Sequence, residues 1–303
     1  PEAEMDWSQS GVDAAWKQLQ HIFRFIDSIL LWKDKSNTVD NWMLATMRHR
    51  YSEWKEAMEN NDLRKSVEIS HYEIIKDVQW YLRRGGGNQD IAQEILDFWI
   101  PMLAPATPHF AEECWNKNGK KKLLANYVIG DISIDENDNH ILLSESFLRQ
   151  FLDQARNVHR LATRNKKEEC EKLIVQTAGE ISIKLTNLAL EIENEGKEPR
   201  KALGEIMSKP FAKENEIKKK LPKLWKRVIE RHYKRTPEER KMIHKKINEL
   251  TIINNNQEFI TKELNLKSIK CWQAGTGNDV GGKGDLASPL QPSLTFLFKN
   301  TND

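Results

Sequence analysis

The chain has 303 residues, 30% of them charged and 39% hydrophobic, and a net charge of only +2. That length supports one large or two ordinary domains with a substantial core. The near balance of charge excludes a uniformly basic nucleic-acid-coating protein, so any nucleic-acid face must come from local segregation of charge. Cys114, Cys170 and Cys271 are odd in number, far apart and form no CxxC, which argues against a disulfide frame or a zinc ribbon and fits a reducing compartment. There is no apolar run of about 18 residues and no signal-peptide pattern. The expectation is a soluble, cytoplasmic protein that holds no metal and touches no membrane.

From the amino end, residues 13–32 place Trp16, Leu19, Phe23, Ile26, Ile29 and Leu30 near three- and four-residue spacing, which predicts an amphipathic helix. After a polar loop at Asp34–Asn37, Thr38 and Asp40 open a second helix through Trp42, Leu44, Met47, Tyr51 and Trp54. Asp62 caps a third, Leu63–Arg84, which Gly85-Gly86-Gly87 ends. Ile91–Leu103 is a fourth. In the stretch LAPATPHFAEECW, Pro105 marks a helix opening or a kink. Thr107 is placed to cap a fifth helix beginning at Pro108, with Glu112 and Glu113 in its first turns. Phe110, Cys114 and Trp115 bury one side of it. Long helices with short loops predict an antiparallel bundle.

Beyond Trp115 the pattern loosens. A basic run, Lys120-Lys121-Lys122, precedes Tyr127–Ile134, which has strand character, and the turn-like Asp135–Asn139. Helix returns at Glu145–Thr163, a short buried strand comes next at Lys172–Thr177, and another helix spans Ile181–Glu195. Residues 201–246 are helical and highly charged. A further helix, Asn254–Leu264, leads to a strand at Lys267–Trp272. The glycine-rich Gly275–Gly284 then runs past Pro289 and Pro292 to a last strand, Leu294–Lys299. The fold class expected is mostly α: an antiparallel helical bundle over residues 1–135, followed by a smaller α+β domain over 136–303.

Several of these stretches resemble one family. Pro108-His109-Phe110-Ala111-Glu112-Glu113-Cys114-Trp115 is similar to the Pro-His-x-x-Glu-Glu-x-Trp of class I aminoacyl-tRNA synthetases specific for leucine, isoleucine, valine or methionine. Asp40-Asn41-Trp42-Met43-Leu44 resembles the opening of the second bundle helix in these enzymes. Asp77-Val78-Gln79-Trp80-Tyr81-Leu82-Arg83-Arg84 and Glu4-Met5-Asp6-Trp7 are closer to the archaeal and eukaryotic leucyl-tRNA synthetases. In the second half, Leu173–Ala178, Phe259–Leu264, Gly282-Lys283-Gly284 and Pro292 resemble, in order, the C-terminal domain of the archaeal type.

The resemblance implies a bundle of the anticodon-binding type that touches the tRNA body, and a C-terminal domain that touches the corner and long variable arm of tRNA(Leu). It also implies catalytic and editing domains elsewhere in the same parent enzyme, which would use ATP and magnesium. This stretch has neither His-x-Gly-His nor Lys-Met-Ser-Lys-Ser, so it is expected to need no cofactor and to be inactive alone. One departure stands out: Lys121–Ile134 lacks the Trp-Pro-containing segment the family commonly has. Alternatives are a valyl-, isoleucyl- or methionyl-type bundle, an inactive tRNA-binding paralogue, and a helical protein-interaction module.

The candidate chemistry is basic. Residues 213–246 hold fourteen Lys and Arg against five Asp and Glu. RNA contact is expected from Lys218, Lys219, Lys220, Lys223, Lys226 and Arg227, with Arg231, Lys234 and Arg235 nearby and Pro222 interrupting the helical phase. Leu221, Leu224, Trp225 and Val228 supply the buried side. A smaller set, Arg64, Lys65, Arg83 and Arg84, lies in the bundle, where arginine suits bidentate phosphate contact. Lys283 is placed to meet a phosphate. Phe298 and Lys299, in the last strand and tail, are placed by the resemblance near the tip of the variable arm. DNA is not an expected partner.

Three features read as structural. Gly277 and Gly282-Lys283 approach a P-loop, but Gly284 stands where Ser or Thr would ligate magnesium, and Pro289 and Pro292 deny the following helix. Lys33-Asp34-Lys35-Ser36 is lysine- and serine-rich, yet the resemblance implies that the family's catalytic lysine loop lies upstream of these residues. His109 with Glu112 and Glu113 lacks the second histidine of a zinc-protease helix. The tryptophans and Tyr81 are expected to pack the core.

Overall fold

The structure is a computed structural model that describes residues 7–130, 132–164, 170–277 and 279–299. The chain divides into two compact units, Pro1–Leu142 and Leu143–Asp303. Among the described residues no helix is long and apolar enough to cross a membrane.

The first unit is a helical bundle of α1 (Gln9–Leu30), α2 (Asp40–Glu59), α3 (Leu63–Glu68), α4 (Ile74–Arg83), α5 (Gln89–Leu103) and α6 (Pro108–Lys117). Ile22, Ile26, Met43, Met47, Ile74, Val78, Ile95, Trp99 and Leu103 meet in one core. Residues three and four apart share a helix face, which brings them together; Ile26, Met47 and Val78 are among the positions the sequence spacing predicts. Trp16 departs from that pattern and is 61% exposed, since the first turns of α1 stand clear of the core. Trp7 is 83% exposed. Asp62 caps α3 as expected, its Oδ1 accepting from the Lys65 N–H at 3.0 Å.

The third predicted helix is not one regular helix. A π turn, Ile69–Glu73, separates α3 from α4. Such a turn releases carbonyls from the regular ladder. The Ser70 carbonyl accepts from Trp99 Nε1 at 2.7 Å, and the His71 carbonyl accepts from Gln18 Nε2 at 2.5 Å. Burial lowers the pKa of His71 and keeps its ring neutral.

The α5–α6 junction corrects a second expectation. The Thr107 side chain does not cap α6; its hydroxyl donates back to the Leu103 carbonyl at 3.0 Å and lies 3.4 Å from His71 Nε2. Pro105 sits in the intervening turn. Glu112 instead secures the chain beyond α6, accepting from the Leu124 N–H at 3.0 and 3.1 Å, while Trp115 Nε1 donates to the Lys122 carbonyl at 3.0 Å.

Tyr127–Ile134 forms no strand among the described residues, having no paired neighbour; Tyr127 packs on Trp115 at 4.7 Å. The expected turn at Asp135–Asn139 is the start of α7 (Glu136–Thr163), where Asp135 Oδ1 accepts from the Asp138 N–H at 2.7 Å.

The second unit surrounds a three-stranded sheet in the order β2-β1-β3. Its strands are β1 (Cys170–Thr177), β2 (Ser268–Gln273) and β3 (Ser293–Phe298). β1 pairs parallel with β2 and antiparallel with β3, placing Val175 opposite Cys271 and Leu294. Leu173, Ile174 and Val175 are buried, as a central strand requires. Helices α8 (Glu180–Asn194), α9 (Leu203–Ser208), α10 (Asn215–His232), α11 (Pro237–His244), α12 (Glu249–Asn255) and α13 (Gln257–Leu264) connect β1 to β2. The expected helix at Asn254–Leu264 is divided at Asn256 into α12 and α13.

Candidate nucleic-acid interface

The basic region centres on α10, which continues through Pro222 without a break. Leu221, Trp225, Val228 and Ile229 bury one face against Leu185, Ala189, Ile192 and Ile206. On the far side, Lys219, Lys223 and Lys226 stand at i, i+4 and i+7. All three are exposed, with no hydrogen bond or ion pair among the described residues. Lys218 is exposed on a flank, and Lys234 lies beyond the helix end.

The arginines of the same stretch do something else. Arg227, Arg231 and Arg235 repeat every four residues and reach one segment, residues 285–290. Arg227 Nη1 donates to the Asp285 carbonyl, and Arg231 Nη2 to that of Leu286 at 2.9 Å. Arg235 Nη2 makes a longer contact with the Pro289 carbonyl, 3.5 Å. Lys220 joins them through Asp285 Oδ2 at 3.3 Å. Burial lowers the pKa of Arg231, helped by Arg227, and pushes Arg235 down to about 10, which leaves Arg235 charged at neutral pH. The sequence shows fourteen cations as one class; the i, i+4, i+8 arginine spacing was the signal that could have divided it.

The clamped segment carries a strained residue. Leu290 has φ +66°, a left-handed conformation costly for a side chain of its size. It is held there by Glu249 Oε1, which accepts from its N–H at 2.8 Å, and by burial of its side chain. This arrangement fixes where β3 begins. At the far end of β3, Phe298 is half-buried and Lys299 exposed; residues after Lys299 lie outside the described residues, as do Glu4, Met5 and Asp6.

Lys283 is exposed in a loop of two 3-10 turns, Val280–Gly282 and Gly284–Leu286. The Gly284 N–H donates to Asp279 Oδ1 at 2.8 Å, so this amide is turned inward, and a strand rather than a helix comes after the loop. These residues do not fit a nucleoside triphosphate.

In the bundle, Arg64 is exposed and Lys65 half-exposed at the start of α3, while Arg83 and Arg84 close α4. The helical run between them is roughly 30 Å long, so the structure does not bring these two pairs together. Arg83 Cζ lies 5.7 Å from the centre of the Trp80 ring. His109 is exposed, and no group of three or more His, Cys, Asp or Glu is placed to hold a metal among the described residues. Burial pushes the Cys114 and Cys271 thiols up to about 12, which makes both poor nucleophiles.

Comparison with known proteins agrees with this architecture. Residues 40–180 match the family described as the anticodon-binding domain of tRNA ligase. The leucine–tRNA ligase of Pyrococcus abyssi is 26% identical over 306 residues, covering 97% of this chain and 29% of that protein. That of Methanocaldococcus jannaschii is 27% identical over 257 residues, 84% of this chain and 25% of the relative. That of Methanococcus maripaludis is 29% identical over 260 residues, 84% and 24%. The chain thus spans less than a third of the length of these relatives, and over nearly all of its own length it resembles the C-terminal portion of an archaeal-type leucine–tRNA ligase.

Proposed function

We propose that this chain is the tRNA-contacting part of a leucyl-tRNA synthetase. It holds tRNA(Leu) by its phosphates and by its long variable arm, and so positions the acceptor end for a catalytic domain elsewhere in the parent enzyme. The observation that carries the reading is the division of labour on α10. Its arginines are spent inside the protein, while Lys219, Lys223 and Lys226 form a cationic stripe without partners among the described residues. Such a stripe meets a phosphate backbone without regard to base sequence. In this reading ATP and magnesium belong to the parent's catalytic domain, and this chain alone does not form leucyl-tRNA. The setting is cytoplasmic and soluble, with the catalytic and editing domains as intramolecular partners.

The test is binding to transcribed tRNA(Leu), intact and with the variable arm deleted, across a salt series. Counterion release predicts that log K falls with log salt with a slope of about −0.7 to −0.9 per phosphate engaged. Tight binding lost with the arm supports the leucine assignment. Equal, weak binding to both RNAs rejects it and favours a helical protein-interaction module.

A further inference from the structure

The second unit contains a cavity that the tRNA reading does not use. It holds about 440 Å³, within the size range of small-molecule sites, and lies where the parallel strands β1 and β2 end, beside Thr177 and Gln273. The carboxyl ends of parallel strands are where open α/β sheets leave room for a ligand. Met242, Ile243 and Ile247 are buried and form an apolar wall with Leu250.

The polar groups of the cavity are few and lack partners. Asn187 and Gln273 line it, and their side-chain amides form no hydrogen bond among the described residues. Glu249 lines it as well. Its Oε1 accepts from the Leu290 N–H at 2.8 Å, whereas Oε2 is buried without a hydrogen-bond partner, the one carboxylate oxygen so placed among the described residues. Arg235, the cation whose charge Glu249 feels, reaches the Pro289 carbonyl instead. A buried acceptor left bare calls for a donor from outside the chain. Opposite in sign, Lys246 is exposed at the cavity and forms no ion pair among the described residues.

The backbone singles out the same place. Four described residues other than glycine have positive φ. Two are Asn61 and Asn265, and asparagine tolerates this conformation. The other two, Lys246 at +52° and Leu290 at +66°, both line this cavity. Strain of this kind gathers at ligand sites.

We infer that this cavity binds a free α-amino acid with an apolar side chain. The ammonium meets Glu249, the carboxylate meets Lys246, and the side chain lies on the apolar wall. A zwitterion is the class that answers both signs. A simple amine leaves Lys246 unanswered, a simple carboxylate leaves Glu249 bare, and a purely apolar molecule leaves every polar group without a partner. The inference is independent of the tRNA reading and uses none of the α10 lysines.

Isothermal titration of the chain with leucine, methionine and phenylalanine tests it. Isopentylamine and 4-methylpentanoate serve as leucine without its carboxylate and leucine without its ammonium. The three amino acids are expected to bind at one site per chain. Each analogue should bind at least roughly tenfold more weakly, the loss that one charge-assisted hydrogen bond brings. Lys246→Met should weaken leucine to the level of isopentylamine and leave isopentylamine unchanged. Glu249→Gln should weaken leucine to the level of 4-methylpentanoate. Thermal melts establish that both variants are folded; Lys246 is exposed, so its variant carries the test if Glu249→Gln is unstable. Three results would each overturn the inference and leave water as the partner of Glu249: no saturable heat from any of the amino acids at up to about 10 mM, equal binding of leucine and both analogues, or wild-type leucine affinity in Lys246→Met.

Discussion

Tyr81 Oη donates to Asp40 Oδ1 at 2.6 Å inside the first unit, joining two stretches that the sequence presents separately. Both residues are buried. Burial, with the Asp40 carboxylate beside it, pushes the Tyr81 phenol up to about 12. The same hydroxyl accepts from the Asn88 N–H at 3.3 Å, and the ring packs on Trp32 at 5.5 Å. A bond from a neutral donor to a buried carboxylate contributes about 1.5–3 kcal/mol. Tyr81→Phe should therefore lower unfolding free energy by about that amount. Asp40→Ala should cost more, because it orphans three donors. Urea denaturation of each variant measures this; a Phe variant within about 0.5 kcal/mol of wild type would show the bond to be dispensable.

Gly86 packs against the same ring: a Cβ added there would lie 2.4 Å from Tyr81 atoms. The ring is pinned by its hydrogen bond and cannot yield cheaply. Gly86→Ala should cost about 1–3 kcal/mol. Combined with Tyr81→Phe it should cost less than the sum, since a released ring can shift.

Arg50 neutralises the buried Asp77, its Nε donating to Asp77 Oδ2 at 2.7 Å while Nη1 reaches Glu53 at 2.9 Å. Arg50→Ala removes the ion pair that neutralises the buried Asp77, at a cost of about 3–5 kcal/mol. Asp77→Asn with Arg50→Met should recover much of it. A double-mutant cycle by chemical denaturation decides; simple additivity would mean that the pair is not coupled.

Glu249 couples the second unit to pH. Burial pushes its carboxyl up to about 7, above its unfolded value of about 4.3. The folded state then binds the proton more tightly, so this group's contribution to stability falls as pH rises from about 4.3 to 7. His232 acts in the opposite sense over part of that window: burial lowers its pKa, so stability falls as pH drops below about 6.5. Glu249→Gln isolates the first effect. The variant's stability relative to wild type should improve with rising pH across this window, by on the order of 1–3 kcal/mol. A pH-independent difference would show that Glu249 does not titrate there.

On α10 the two kinds of cation should separate cleanly. K219A/K223A/K226A should leave stability within about 0.5 kcal/mol, as exposed positions usually do. It should lower the RNA salt slope by about 2–3. Arg231→Ala should do the reverse in part, exposing residues 284–290 to limited proteolysis and costing about 1–3 kcal/mol. Equal effects of both variants on proteolysis would erase the distinction.

The helical positions Ile26, Ile29, Trp42 and Met47 were legible in the sequence because apolar periodicity comes directly from helix geometry, and the β1 strand was legible from its continuous β-branched and aliphatic run. The motif residues Asp40, Asp77, Tyr81, Glu112 and Trp115 each hold a specific partner in the structure. The misread stretches are those where distant groups decide. Thr107 could cap α6 or turn back to Leu103, and the neighbouring His71 across the π turn goes with the second. Tyr127–Ile134 has the composition of a strand but found Trp115 to pack on and no strand to pair with among the described residues. The candidate site divides in the same way. Sequence alone determined that positive charge is concentrated in residues 213–246, because charge is a property of composition. Which cations remain available depends on the carbonyls of residues 285–290. Only the tertiary structure could decide that, because those partners lie some fifty residues away in the chain and a few ångströms away in space.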